Sequence, residues 1–130
     1  MRESNQLKEC QKLWAAHKYL VLSKSGSIYN EIREYLKREN AQVRHVLTLI
    51  DQARTLPENR GQVCNAFQHI WGYFKKKAST IEKEDFMHLL LRYQSGQAEQ
   101  KDLVRAVRDL LVKYPNPYLQ QSTLLFGDEA

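Results

Sequence analysis

Apolar side chains recur at three- and four-residue intervals along almost the whole of this chain, and nowhere do they alternate with polar ones over the length of a strand. A period near 3.6 puts such residues on one face of an α-helix, whereas a half-buried strand needs a period of two. Leu7, Cys10, Trp14, His17 and Val21 predict a first helix over about residues 4 to 23. Ser25-Gly26-Ser27 interrupts it and supplies an N-cap for a second, which runs to about Lys37 with Ile28, Ile32, Tyr35 and Leu36 on one face. After a turn at Glu39-Asn40, a third helix points Val43, Val46, Leu47, Ile50 and Ala53 inward. Pro57, which lacks a backbone N–H, marks the loop before a fourth. Ser79 and Glu82 have the spacing of a capping box and open a helix that buries Phe86, Leu89, Leu90 and Tyr93 and stops at Gly96. The next, about 98 to 113, buries Leu103, Val107, Leu110, Leu111 and Tyr114 before Pro115-Asn116-Pro117 ends it. A short helix or turn then covers 118 to 125. The expected fold is all-α, a compact bundle of five or six mostly antiparallel helices forming one domain over residues 1–130.

A chain of 130 residues can bury about two-thirds of its unfolded surface, so it needs no covalent or metal staple. No stretch approaches the roughly 20 apolar residues that span a bilayer, and the first six residues contain no apolar core of a secretory signal, so a cytoplasmic setting is expected. The two cysteines, Cys10 and Cys64, form no C-x-x-C pair. That argues against a zinc or iron–sulfur site built by this chain alone and for two small packing residues with incidental thiols. The net charge of +5 favours anionic partners without specifying one.

The fourth helix is the most informative segment. It is expected to run from about residue 60 to 78, with Val63, Ala66, Phe67, Ile70 and Phe74 on the face that packs. Asn65, His69, Gly72, Tyr73 and Lys76 share a second arc, about 100° wide, turned largely away from the first. One stripe suffices to hold a helix in a fold. The second offers amide, imidazole, phenol and ammonium groups in a row, suited to phosphate, ribose or a base edge, with Tyr73 available for stacking. The competing account is that Asn65 and His69 hydrogen-bond to a neighbouring helix and set its register. Gly72, costly inside a helix by roughly 1 kcal/mol against Ala, is expected to permit close packing of another helix. Lys75, Lys76 and Lys77 follow directly; they suit a phosphate-tracking surface, and equally the negative end of the helix dipole. His17, in the apolar stripe of the first helix, is read as a half-buried histidine with a polar partner. His45 and His88 fall on outward faces.

Several of these residues together resemble the YbgA-type family of bacterial proteins. Asn65-x-x-x-His69-Ile70-x-Gly72-Tyr73-Phe74-Lys75 is similar to the family's signature, and Trp14-x-x-His17-Lys18-Tyr19 to its W-x-x-H-K-Y element. Glu82-Lys83 followed by Tyr93-x-x-Gly96 resembles the helix after the signature, and Asn116-x-Tyr118-Leu119-x-Gln121 its closing element. The resemblance covers about residues 10 to 121; the Pro-rich tail common in the family is replaced here by Leu124 to Ala130. Such domains occur alone and fused to an iron–sulfur desulfidase domain related to thiouracil desulfidases, where the helical part is associated with tRNA binding. This chain has no cysteine constellation for a cluster, so the resemblance implies the binding role and not the catalysis: a non-catalytic RNA-binding module without cofactor, most naturally for tRNA, acting with a separate desulfidase or other tRNA-modification enzyme. The contacts it implies are Lys18, Tyr19, Asn65, His69, Tyr73, Lys75, Lys76 and Lys77. Two rivals stand beside it. One is a small hydrolase or nuclease using His17, His69 and Asn65. The other is a dimerisation domain using Trp71 and the apolar Leu124, Leu125 and Phe126.

Overall fold

The computed structural model describes residues 2–127, with side chains from residue 5 onward; Asp128 to Ala130, the end of the divergent tail, lie outside it. The described residues form helices joined by turns and short loops, with no strand. Eight helices follow in order, where five or six were expected: α1 Arg2–Lys24, α2 Gly26–Tyr35, α3 Val43–Arg54, α4 Arg60–Trp71, α5 Thr80–Gln94, α6 Gln100–Lys113, α7 Pro117–Gln120 and α8 Thr123–Phe126. The surplus is α7 and α8, single turns of four residues each at the C-terminus.

The capping chemistry works largely as its sequence spacing predicts. Ser25 Oγ accepts from the Ile28 N–H at 3.0 Å and opens α2. Ser79 accepts from the Glu82 N–H while the Glu82 carboxylate accepts from the Ser79 N–H, a complete capping box. Asn59 and Asn116 cap α4 and α7 by accepting from the Gln62 and Leu119 N–H groups, with Pro117 just inside the latter. At the end of α5, Gly96 adopts φ +83°. Its N–H reaches the Tyr93 carbonyl and that of Gln97 reaches Arg92, closing the helix with a residue that carries no Cβ.

Helix α4 is shorter than its periodicity suggests. It ends at Trp71, and residues 72–77 continue as tight turns in which Gly72, Tyr73 and Phe74 each donate to the carbonyl three residues back. Gly72 belongs to that tightening. A Cβ on it would lie 3.0 Å from the His69 carbonyl oxygen, and no other element approaches it, so its expected role in close helix packing is not what the structure shows.

Two buried clusters form the core. Cys10 and Val21 of α1 pack with Ile32 of α2 and Val46, Leu49, Ile50 and Ala53 of α3. Tyr19 and Leu22 of α1 pack instead with Val63, Ala66, Phe67 and Ile70 of α4, and this second cluster extends through α5 and α6 to Leu119, Leu124 and Leu125. Helix α1 is therefore the shared wall and contacts α2, α3, α4 and α8. Two expectations are corrected here. Trp71 is 6% exposed, with its ring stacked on Phe86 at 5.1 Å, and Leu124 and Leu125 are buried with it. These three are core residues with little surface to offer a second copy, while Phe126, named with them, is half-buried. Leu47, expected inward, is exposed.

Candidate nucleic-acid interface

The C-terminal half of α1, the end of α4 and the single turn α7 are brought together by the larger core cluster. Buried Leu22 on α1, Phe67 and Ile70 on α4 and Leu119 on α7 are the anchors. Beside those anchors sit Lys18 and Tyr19, Tyr73, and Tyr118. The Tyr19 and Tyr73 hydroxyls are 3.0 Å apart, and their rings meet edge to face at 6.4 Å between centroids. Tyr73 stacks on Tyr118 with centroids 5.9 Å apart and planes 21° from parallel. The Lys18 ammonium lies 5.3 Å from the Tyr19 ring centre and 5.6 Å from that of Tyr118, within range of both aromatic quadrupoles.

Burial divides the three phenols. Tyr19 is 4% exposed, which removes it from the expected direct contacts: packing between α1 and α4 leaves it no open face. Its burial, and then its hydrogen bond to Tyr73, push its pKa up, so it remains a phenol through the physiological range. Tyr73 keeps 38% of its surface in solvent and Tyr118 is half-buried. Tyr19 thus fixes Tyr73 from beneath.

Asn65 and His69 are exposed on the two turns of α4 before Tyr73, and no hydrogen bond ties either to a neighbouring helix among the described residues. The register-setting account of this stripe therefore has no contact behind it. Lys75, Lys76 and Lys77 are exposed on the turns after α4, rather than in a helical last turn as expected. The ion pairs among the described residues join Lys12 to Glu9, Lys37 to Glu34, Lys101 to Glu99 and Lys113 to Glu82, so none engages Lys18 or the three consecutive lysines. Glu82, the nearest acidic residue in sequence, is committed elsewhere. The Ser79 N–H, the Tyr114 hydroxyl at 2.8 Å and the Lys113 ammonium at 3.2 Å hold its carboxylate, and its pKa falls to about 2.

His17 does not join this stripe. Its Nδ1 is 3.0 Å from Thr123 Oγ1 and 3.2 Å from an Arg54 guanidinium nitrogen, so the imidazole ties α1 to α3 and α8. A guanidinium can only donate, which makes Nδ1 an acceptor toward it. That is the structural role expected of a half-buried histidine. Among the described residues no group of three or more His, Cys, Asp or Glu side chains is placed to hold a metal ion. No described helix is long and apolar enough to cross a membrane.

Two features escaped sequence reasoning. Tyr118 joins the tyrosine cluster although it lies 45 residues beyond Tyr73. The one hint was its place in the closing N-x-Y-L-x-Q element. The other is an open cleft of about 510 Å³ between α5 and α6, floored by Phe86, Leu89, Ala106 and Leu110. Its rim carries the charged Glu82, Asp85, Arg92, Asp109 and Lys113, and it opens only where the two helices meet.

No curated protein and no solved structure matches the chain. A family model does match, over residues 18–126, and the chain therefore belongs to the family described as protein of unknown function DUF1722.

Proposed function

We propose that this chain is a non-catalytic RNA-binding module of the YbgA type, with tRNA as its RNA class, working in the bacterial cytoplasm beside a separate thiouridine desulfidase or other tRNA-modification enzyme. The supporting observation is convergence. Lys18 on α1, Tyr73 after α4 and Tyr118 on α7, far apart in sequence, form one cluster, and each lies in a segment of the family resemblance. Lysines without ion pairs among the described residues follow within four positions of Tyr73. Exposed Asn65 and His69 complete a surface of cation, ring, amide and imidazole, the groups that contact phosphate, base face and base edge in RNA complexes. The RNA contacts are Lys18, Asn65, His69, Tyr73, Lys75, Lys76 and Lys77, with Tyr19 as their support.

Fluorescence anisotropy of a labelled tRNA tests this reading, with Asn65→Ala and His69→Ala as exposed variants that leave the core intact. Binding should weaken in both while the melting temperature holds. A wild-type protein that binds tRNA no better than it binds polyglutamate of equal charge would overturn the proposal. The hydrolase alternative fails if tRNA emerges uncut from prolonged incubation.

A further inference from the structure

The three tyrosines and Lys18 are arranged in a way that favours one kind of nucleotide over another. Tyr19, sealed beneath the surface, uses its hydroxyl on that of Tyr73. This contact and the stack on Tyr118 fix two coordinates of the Tyr73 ring, its direction and its plane. An exposed tyrosine normally samples its rotamers freely, so a ring held at both its tip and its face is pre-oriented at no cost to a later partner. Tyr73 keeps 38% of its surface in solvent beside that stack. Lys18 is the other half of the arrangement. The residue is half-buried, its ammonium lies near two rings, and it has no carboxylate partner among the described residues. Ring quadrupoles compensate a cation only in part, so this charge retains a strong preference for an anion.

A flat apolar face with a poised cation beside it matches a base together with its own phosphate. We infer that Tyr73 and Tyr118 with Lys18 form the seat of a single unpaired RNA base, so that the module recognises a loop or single-stranded stretch and not a continuous duplex. The inference rests on the RNA reading above and adds to it a site residue, Tyr118, and a class of RNA. A paired base in an A-form helix offers no free face, because its neighbours stack on both sides and the deep groove excludes side chains. Only a nucleotide splayed out of the helix can add itself to the tyrosine stack. Exposed Asn65 and His69 on the preceding turns then provide hydrogen-bonding groups for the edge of that base, while Lys75, Lys76 and Lys77 take flanking phosphates without regard to pairing.

The test uses the full chain and two labelled RNAs with the same number of phosphates, a stem with an unpaired loop and a blunt, fully paired duplex. Wild-type protein should prefer the loop RNA by about tenfold or more, the effect of stacking one base. Tyr73→Leu and Tyr118→Leu should each remove most of that preference and leave duplex affinity unchanged, while Tyr118→Phe, which keeps the ring, should retain it. Tyr73, the more exposed of the pair, gives the variant least able to disturb folding, and thermal melts confirm that it is intact. Equal affinity for the two RNAs in wild type, or an undiminished loop preference in Tyr73→Leu, would overturn the inference and leave the RNA reading standing. Equal losses on loop and duplex in the Leu variants would assign the tyrosines to the fold alone and also overturn it. Absence of binding to either RNA would overturn the RNA reading itself.

Discussion

Replacing Trp71 with Ala separates a core role from an interface role at a residue where sequence allows both. The indole is 6% exposed, stacks on Phe86 at 5.1 Å with planes 15° apart, and touches Phe74 at 6.2 Å. Truncating a buried aromatic to Ala costs about 3–5 kcal/mol, of which the lost ring pair supplies roughly 1 kcal/mol. Unfolding entropy near 2.1 cal/mol/K per residue gives this chain of 130 residues about 0.27 kcal/mol/K at its midpoint. Trp71→Ala should therefore lower Tm by roughly 11–18 °C and shift the urea midpoint at unchanged m, followed by circular dichroism at 222 nm. Since domains of this kind hold about 5–15 kcal/mol, the variant should still fold in the cold. Sedimentation velocity should show the same species before and after substitution. A stability loss under about 1 kcal/mol together with a change in sedimentation would refute the core assignment and return Trp71 to an interface.

Glu82 carries a pH signature. Its folded pKa, about 2, lies below its ordinary value because the Ser79 N–H and the Tyr114 and Lys113 side chains stabilise the carboxylate. A lowered carboxylate pKa stabilises the fold above the unfolded value and loses that contribution as pH falls through the folded one. Acid titrations should thus show wild-type stability declining between about pH 4.5 and 2 more steeply than Glu82→Gln; parallel curves would mean the carboxylate is not held as described. Gly96→Ala should cost about 1 kcal/mol in urea titrations, because φ +83° is unfavourable for any residue with a Cβ although the space around it is open; no loss would mean that α5 ends differently in solution. Replacing Lys75, Lys76 and Lys77 together with Gln should leave the thermal midpoint within about 2 °C of wild type, since no ion pair is broken; a larger drop would reveal a structural role for the run.

Helical spacing and capping residues made most of the fold readable. Val63, Ala66, Phe67, Ile70 and Phe74 are all buried as their phase requires, and Ser79, Glu82 and Gly96 sit at the boundaries their chemistry predicts. The misjudged points have physical causes. Phe74 keeps the right phase although its backbone has left the α-helix, so periodicity alone extended α4 past Trp71. Tyr19 and Leu22 fall off the stripe of Leu7, Cys10 and Trp14 because α1 is packed on two sides by different clusters, and a single-stripe reading sees one of them. At the candidate site, the exposure of Asn65, His69 and Tyr73 followed from their place opposite the buried face. The partnership of Tyr73 with Tyr118 and the burial of Tyr19 did not, since each depends on where distant helices meet.

Binding of labelled tRNA as a function of salt tests the RNA reading most directly, with a DNA duplex of matched charge alongside. Each phosphate neutralised contributes about 0.7–0.9 to the slope of log affinity against log salt. Wild type should lose affinity steeply between about 50 and 200 mM salt and favour tRNA over the duplex, and the triple lysine variant should show a slope shallower by roughly 2 to 3. Equal, weak binding of both nucleic acids, with a slope untouched by the loss of Lys75, Lys76 and Lys77, would contradict it.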